Sequence, residues 1–426
     1  MLIFLHFRFV DTKCGYTGRI VLKMKVLYLT ITNMANLDSQ GIYQDLVKEF
    51  VANGHDVYVV SPRQKRLGKQ TEFIENGHFH ALLVRIGNIT KCGLLEKGIS
   101  MLLLERQYMA AIDRYLKDIR FDLVLYSTPP ITFSGIVKKI KKRDGAKSYL
   151  MLKDIFPQNA VDLGIMSKTG IKGLAYRYFR RQEQELYNIS DYIGCMSPAN
   201  VEYLLANNPG IDKSRVGLCP NSLEIADYRI SPAEKTAMRT KYNLPLDKKI
   251  FIYGGNLGLP QGIPFLMECL KSQKDRKDVF FFISGSGTEY GRLKDFVDSL
   301  GANNIRLSSW IPREDYSRLT AACDVGLIFL DYRFTIPNFP NRLLAYMQAG
   351  LPVISCTDPN TDVGKICQQG GFGWSCPSNS VKDFSECVSK ACSADLLSMG
   401  QKSWECLNAN YDVRLAYKGI MEAVNL

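Results

Sequence analysis

The feature that most constrains this chain is a rhythm that runs through it twice: a short apolar run, a polar loop, an amphipathic stretch, then another apolar run. In the first half, Val26-Leu27-Tyr28-Leu29-Thr30 reads as a buried strand and an apolar-periodic helix follows around Ile42–Ala52. Gly54-His55 ends that helix, and Asp56-Val57-Tyr58-Val59-Val60-Ser61 is the next strand. Strand, helix and strand at this spacing make a βαβ unit, which demands a parallel sheet. Further strands are expected at 121–126 and 146–152. A polar connector around 222–247 carries the helix-start signal Ser231-Pro232-Ala233-Glu234. The rhythm then restarts, with strands expected at 249–253, 278–284, 304–307, 325–330 and 352–355. The fold class is therefore α/β: two doubly wound domains, joined near residue 222 and facing a cleft. Ligands of such sheets sit at the carboxyl ends of the strands.

Composition narrows the functional classes. With 46% apolar and 23% charged residues the chain is neither disordered nor fibrous. Its apolar runs, such as the five residues 279–283, fall far short of the ~18 that a membrane-spanning helix needs. The twelve cysteines are scattered and form no Cys-x-x-Cys pair, so they read as small buried apolar residues of a reducing cytoplasm. Residues 1–23 are interrupted early by Arg8, Asp11 and Lys13 and read as an upstream extension, with the fold beginning at Met24-Lys25. The net charge of +12 lies mostly in the first half. Residues 94–116 and 171–187 mix apolar and basic side chains there. Two readings stand for these helices: they lie on an anionic membrane surface, or they face the core and present a solvated basic side. Nucleic acid is not an expected partner, because neither a helix-turn-helix nor a basic–aromatic single-strand platform is visible.

Four segments could carry chemistry, and each has a plainer alternative. Gly285-Ser286-Gly287-Thr288 and Gly254-Gly255-Asn256-Leu257-Gly258 with Gln261-Gly262 are strand-end glycine turns. They could let a backbone approach an anion, or simply need glycine dihedrals. Asp154 follows a strand and either faces the cleft or caps a helix. Arg342, in Pro337-Asn338-Phe339-Pro340-Asn341-Arg342, stands before an apolar helix ended by Gly350. A cation there opposes the helix dipole, which a bound diphosphate would relieve; otherwise it is a solvated surface arginine. No Asp-x-Asp triplet, P-loop ending or Gly-x-Ser-x-Gly elbow occurs. His78 and His80 flank Phe79 in an apparent strand without a third metal ligand nearby.

Together these segments resemble retaining glycosyltransferase family 4, with its GT-B fold. The likeness is carried by Gly54-His55-Asp56-Val57, by Tyr126-Ser127-Thr128-Pro129-Pro130 followed by Asp154-Ile155-Phe156-Pro157, and by Cys219-Pro220-Asn221-Ser222. It continues in Gly255-Asn256-Leu257-Gly258 with Gln261-Gly262, and in Pro340-Asn341-Arg342-Leu343-Leu344 with Tyr346-Met347-Gln348-Ala349-Gly350-Leu351-Pro352-Val353-Ile354. The subgroup it looks like includes N-acetyl-L-fucosamine transferases of bacterial O-antigen and capsule assembly. Two departures stand out. The pair of glutamates of many members falls on Pro337 and Ala345, and the Arg and Lys that meet the diphosphate fall on Asn256 and Gln261.

The resemblance implies an acceptor-binding domain over 24–222, completed by a C-terminal helix at about 405–426, and a nucleotide-sugar domain over 223–404. It implies a nucleotide-sugar donor, UDP-linked, as substrate, with no cofactor and no metal. Gly255, Asn256, Gln261, Gly287, Thr288, Ile311, Asn341, Leu343 and Leu344 would hold the donor, and the loop Ser309-Trp310-Ile311 would meet the base. Arg342 would stabilise the leaving diphosphate and Asp154 would act as base or position the acceptor. That acceptor would be a lipid-diphosphate-linked sugar at the cytoplasmic face of the membrane. Two rivals share the architecture: a non-hydrolysing UDP-sugar 2-epimerase, which needs carboxylates and histidines around the sugar, and a catalytically silent sugar-nucleotide binder, suggested by the missing glutamates.

Overall fold

Near-continuous apolar strands are what a parallel sheet covered on both faces requires, and two such sheets organise this protein. The structure is a computed structural model that describes residues 23–425; the upstream extension expected from the sequence lies outside the described residues, apart from Lys23. The first sheet contains β1 (Lys25–Leu29), β2 (Asp56–Gln64), β3 (Glu72–Asn76), β4 (Phe79–Ile86), β5 (Leu123–Ser127), β6 (Lys147–Leu152), β7 (Tyr192–Cys195) and β8 (Val216–Leu218), in the order β3-β4-β2-β1-β5-β6-β7-β8. Only β3 runs antiparallel, as a hairpin on β4 turned at Gly77 with φ 58°. The second sheet is parallel throughout. It contains β9 (Lys249–Asn256), β10 (Val279–Ser286), β11 (Ile305–Ser308), β12 (Val325–Phe329), β13 (Val353–Thr357) and β14 (Gly373–Pro377), in the order β11-β10-β9-β12-β13-β14. Each sheet is sandwiched between two apolar layers of helices.

The connector behaves as its sequence says. Ser231 caps helix Pro232–Lys241 in a full capping box with Glu234, and Pro232 occupies the first turn. The end of the chain crosses back: the Leu223 amide donates to the Tyr411 carbonyl (3.1 Å) and its carbonyl accepts from the Val413 amide (2.9 Å), bridging Leu223 to Asp412. Helix Val413–Val424 then packs Val413, Ile420 and Val424 onto Val26 and Phe50 of the first domain. Helix Leu396–Asn410, by contrast, places Leu407 in the second domain's core.

A third crossing was not legible in the sequence. After β12, residues 330–336 form a tongue whose Leu330, Phe334 and Ile336 are buried within the first domain's core. Polar bonds fix it there. The Asp162 carboxylate accepts from the Thr335 amide (2.8 Å) and hydroxyl (2.9 Å), and Asn200 Nδ2 donates to the Pro337 carbonyl (2.9 Å). Helix Arg342–Gln348 follows directly, so the first domain helps to set where Arg342 stands.

The glycine turns also differ from expectation. Strands β9 and β10 run on through them, pairing Gly255 with Gly285 and Asn256 with Ser286. A Cβ on Gly285 would lie 1.8 Å from the Gly255 carbonyl oxygen, and one on Gly287 would lie 2.2 Å from that of Leu257. Two backbones in contact therefore demand these glycines, before any ligand is considered.

Candidate active site

A cleft of about 1750 Å³ opens between the domains. Its first-domain wall is the start of helix Ile42–Ala52, with Gly41 and Tyr43; its second-domain wall is the ends of β9 and β10, the loop at 309–311 and the start of helix Arg342–Gln348. Of the expected donor residues, Gly255, Asn256, Gln261, Ile311, Asn341 and Leu344 line this cleft, as does Arg342.

Arg342 is the best-defined feature. Its guanidinium carbon stacks 4.2 Å from the centroid of Tyr253 on β9, a cation–π contact. Its Nη1 is buried and has no hydrogen-bond partner among the described residues. It is therefore not a solvated surface arginine. Helix Arg342–Gln348 is pinned to β9 by Tyr346, whose hydroxyl accepts from the Gly254 amide (3.1 Å) and approaches the Ile252 and Leu327 carbonyls. Burial pushes the Tyr253 phenol up, and Arg342 draws it partly back.

Asn256 and Gln261 hold each other. Gln261 Oε1 accepts from Asn256 Nδ2 (3.0 Å) and from the Gly258 amide (3.1 Å), closing the loop after β9. Their side chains are thus loop braces at the cleft wall, in place of the cations that the resemblance puts there. Ala345 lines the cleft and Pro337 is buried behind it, so neither glutamate position presents a carboxylate.

Four expected site residues stand elsewhere. Gly287 and Thr288 lie beyond the cleft's lining, where the backbone contact with Leu257 explains the glycine. Leu343 is fully buried. The amides of Leu343 and Leu344 are engaged by the Pro340 and Asn341 carbonyls at 3.1 Å, so this short helix does not offer them to a phosphate. Asp154 is also outside the lining. It caps no helix either: Asn159 Nδ2 donates to both its oxygens (2.8 and 2.9 Å), and burial raises it to about 6. The Tyr43 phenol at the cleft wall is raised by burial, drawn back by its hydrogen bond with Ser127, and raised a little further by the nearby Asp154 charge.

The histidines singled out in the sequence have other partners. His78 bonds Asp56 at 2.6 Å and His80 stacks on Tyr58 at 4.3 Å, so they do not share a metal. Among the described residues no group of three His, Cys, Asp or Glu could hold one. The described cysteines are free, and most are buried. Sequence reasoning missed Tyr253 and Tyr43, because an aromatic inside an apolar run or at a helix start looks like core; Tyr253 is indeed fully buried, beneath Arg342, while Tyr43 reaches the cleft wall.

The first half of the chain matches the family model "Glycosyltransferase Family 4" over residues 42–226, and the second half matches "Glycosyl transferases group 1" over residues 234–401. With two Rossmann-like sheets around a cleft, the chain belongs to this class of GT-B glycosyltransferases. Among individual proteins it is similar to the "Probable glycosyltransferase WbjE" of Pseudomonas aeruginosa, at 25% identity over 75% of this chain and 77% of that one. It is also similar to the "Putative colanic acid biosynthesis glycosyl transferase WcaI" of Escherichia coli K12, at 23% identity over 58% of this chain and 60% of that one. Its fold is shared with Anabaena HepE in complex with UDP and glucose, with a TM-score of 0.68 and 14% identity over 94% and 99% of the two chains.

Proposed function

We propose that this glycosyltransferase moves a sugar from a UDP-sugar to a lipid-diphosphate-linked sugar during assembly of an O-antigen- or capsule-like polysaccharide, with retention of anomeric configuration. The observation that carries this is Arg342: a guanidinium stacked on Tyr253 at the cleft wall, with a buried Nη1 that lacks a partner. A departing diphosphate would supply the acceptor oxygens, and a fixed cation facing developing charge stabilises the transition state. The leaving phosphate would take the acceptor's proton; Asp154, outside the cleft lining and bonded to Asn159, would position the acceptor only indirectly, from the loop after β6. A relative named for colanic acid biosynthesis, and a fold neighbour in complex with UDP and glucose, support the substrate classes. The donor sugar would be an N-acetylated 6-deoxyhexosamine such as N-acetyl-L-fucosamine, whose fewer hydroxyls suit a cleft with Ala345 and Pro337 in the glutamate positions.

The protein would work at the inner face of the membrane. No helix among the described residues is long and apolar enough to cross one. Two helices expose apolar side chains beside basic ones: Leu95 (79% exposed), Ile99 and Leu102 near Lys97 and Arg106 on Leu94–Tyr115, and Ile171 (89% exposed), Leu174 and Tyr178 near Lys172 and Arg177 on Gly170–Ile189. The first helix comes after the carboxyl end of β4, and the second after that of β6 with the short helix Gln158–Asp162 between. Such surfaces are attracted to anionic lipid.

The test is a panel of nucleotide sugars assayed for nucleotide release with and without a lipid-diphosphate sugar. Acceptor-dependent release from one UDP-sugar supports the function. Epimerised donor, or binding without turnover, refutes it. Anionic vesicles that fail to retain the protein at low salt refute the membrane part alone.

A further inference from the structure

A second cavity, of about 330 Å³, lies at the domain junction and shares no residue with the cleft. We propose that it is a saccharide subsite, holding a sugar unit of the acceptor other than the one that receives the transferred sugar; this rests on the transferase function above.

The buried charges inside the cavity, Arg180 and Glu183, already balance each other. Arg180 pairs with the buried carboxylate of Glu183 and also donates to the Asn207 carbonyl (3.0 Å) and Asn208 Oδ1 (2.6 Å). The other Glu183 oxygen accepts from the Tyr187 hydroxyl at 2.7 Å. A pair satisfied on every side has little left for an ionic ligand. The groups that remain are neutral or aromatic, with one exception. The Tyr176 and Tyr203 hydroxyls have no hydrogen-bond partner among the described residues, and burial holds Tyr203 protonated, up to about 12. The exception is Lys168, which sits 5.6 Å over the Tyr176 ring and joins no ion pair among the described residues. Aromatic faces beside unpaired hydroxyl and ammonium donors suit a polyol, whose C–H faces stack and whose hydroxyl edges accept. At the small end of the ~300–1,000 Å³ range of ligand pockets, the cavity has room for about one or two sugar rings.

Its position favours the acceptor. Ile155 lines it from the loop that carries Asp154 and Gln158 from the start of the helix that follows, and Gln158 Nε2 donates to Thr335 of the tongue at 3.1 Å. Lys168 at its rim lies between the exposed Ile165 and Ile171. A saccharide anchored to lipid at that apolar face would meet the cavity beside the Asp154 loop.

The experiment is saturation-transfer NMR on the full chain with UDP in excess, using methyl glycosides of glucose, galactose, mannose, N-acetylglucosamine and N-acetylgalactosamine. Transfer to at least one glycoside is expected while UDP fills the cleft. It should weaken about three- to tenfold in Tyr176→Ala, the loss of one stacked ring, with UDP affinity and melting temperature unchanged. Lys168→Ala, at an exposed rim position, serves as the second variant and should weaken the same glycoside. In turnover assays with a lipid-diphosphate disaccharide, Tyr176→Ala should raise KM for acceptor and leave KM for donor unchanged. No glycoside signal with UDP bound, or equal signal in the wild type and both variants, overturns the subsite. Absence of UDP binding by the wild type would instead overturn the transferase function.

Discussion

Replacing Arg342 with alanine tests the site most directly, and its two effects separate. On stability, the change removes a cation–π contact with Tyr253 at 4.2 Å, which is ~0.5–2 kcal/mol when partly desolvated. It also removes a buried, unpartnered Nη1, whose desolvation costs ~1–3 kcal/mol. The two terms oppose, so folding stability should shift by only ~1 kcal/mol, or about 1–2 °C in Tm for a chain of this size. On turnover nothing cancels: loss of one fixed donor to developing charge costs ~2.7–4 kcal/mol, a fall of ~10²–10³ in kcat. Arg342→Lys keeps the charge but loses the planar stack and fork, and should fall between the two. The assay is steady-state release of UDP from the donor identified in the panel, paired with thermal melts with and without UDP. Turnover of Arg342→Ala within threefold of wild type, with an undiminished UDP-induced rise in Tm, would refute the role given to this residue.

Asp154, raised from 3.8 to about 6 by burial, binds its proton more tightly folded than unfolded, so its contribution to stability is full at low pH and is lost as pH rises from about 4 to about 6. Asp154→Asn should therefore gain roughly 2 kcal/mol relative to wild type between pH 4 and 7; urea unfolding that shows the same difference at both pH values contradicts this. Ile336→Ala empties a fully buried site where the second domain enters the first, and should cost ~2–5 kcal/mol by chemical denaturation. A loss below about 1 kcal/mol would mean that the tongue is not anchored as described. Gly285→Ala would press a Cβ to 1.8 Å from the Gly255 carbonyl oxygen, and overpacking of this kind costs ~1–3 kcal/mol; a wild-type melting curve would show that β9 and β10 are not in contact there.

What the sequence by itself determined is local. Periodicity placed the strands β1, β2, β5 and β6 and the helix Ile42–Ala52, because the side-chain pattern of a strand or helix is set within a few residues. The Ser231–Glu234 capping box and the positive-φ Gly54 and Gly350 were readable for the same reason. The family motifs located the cleft wall, since Asn256, Gln261 and Arg342 all reach it. Tertiary structure alone decided what those residues meet. Arg342 finds its aromatic platform at Tyr253, Asp162 finds Thr335 173 positions along the chain, and the last helix returns to the first sheet. It also turned two glycine loops into paired strand ends and drew the Leu343 and Leu344 amides into their own helix turn. Such partners are fixed by which strand ends and loops become neighbours when two sheets close on one cleft, and no short window of sequence encodes that adjacency.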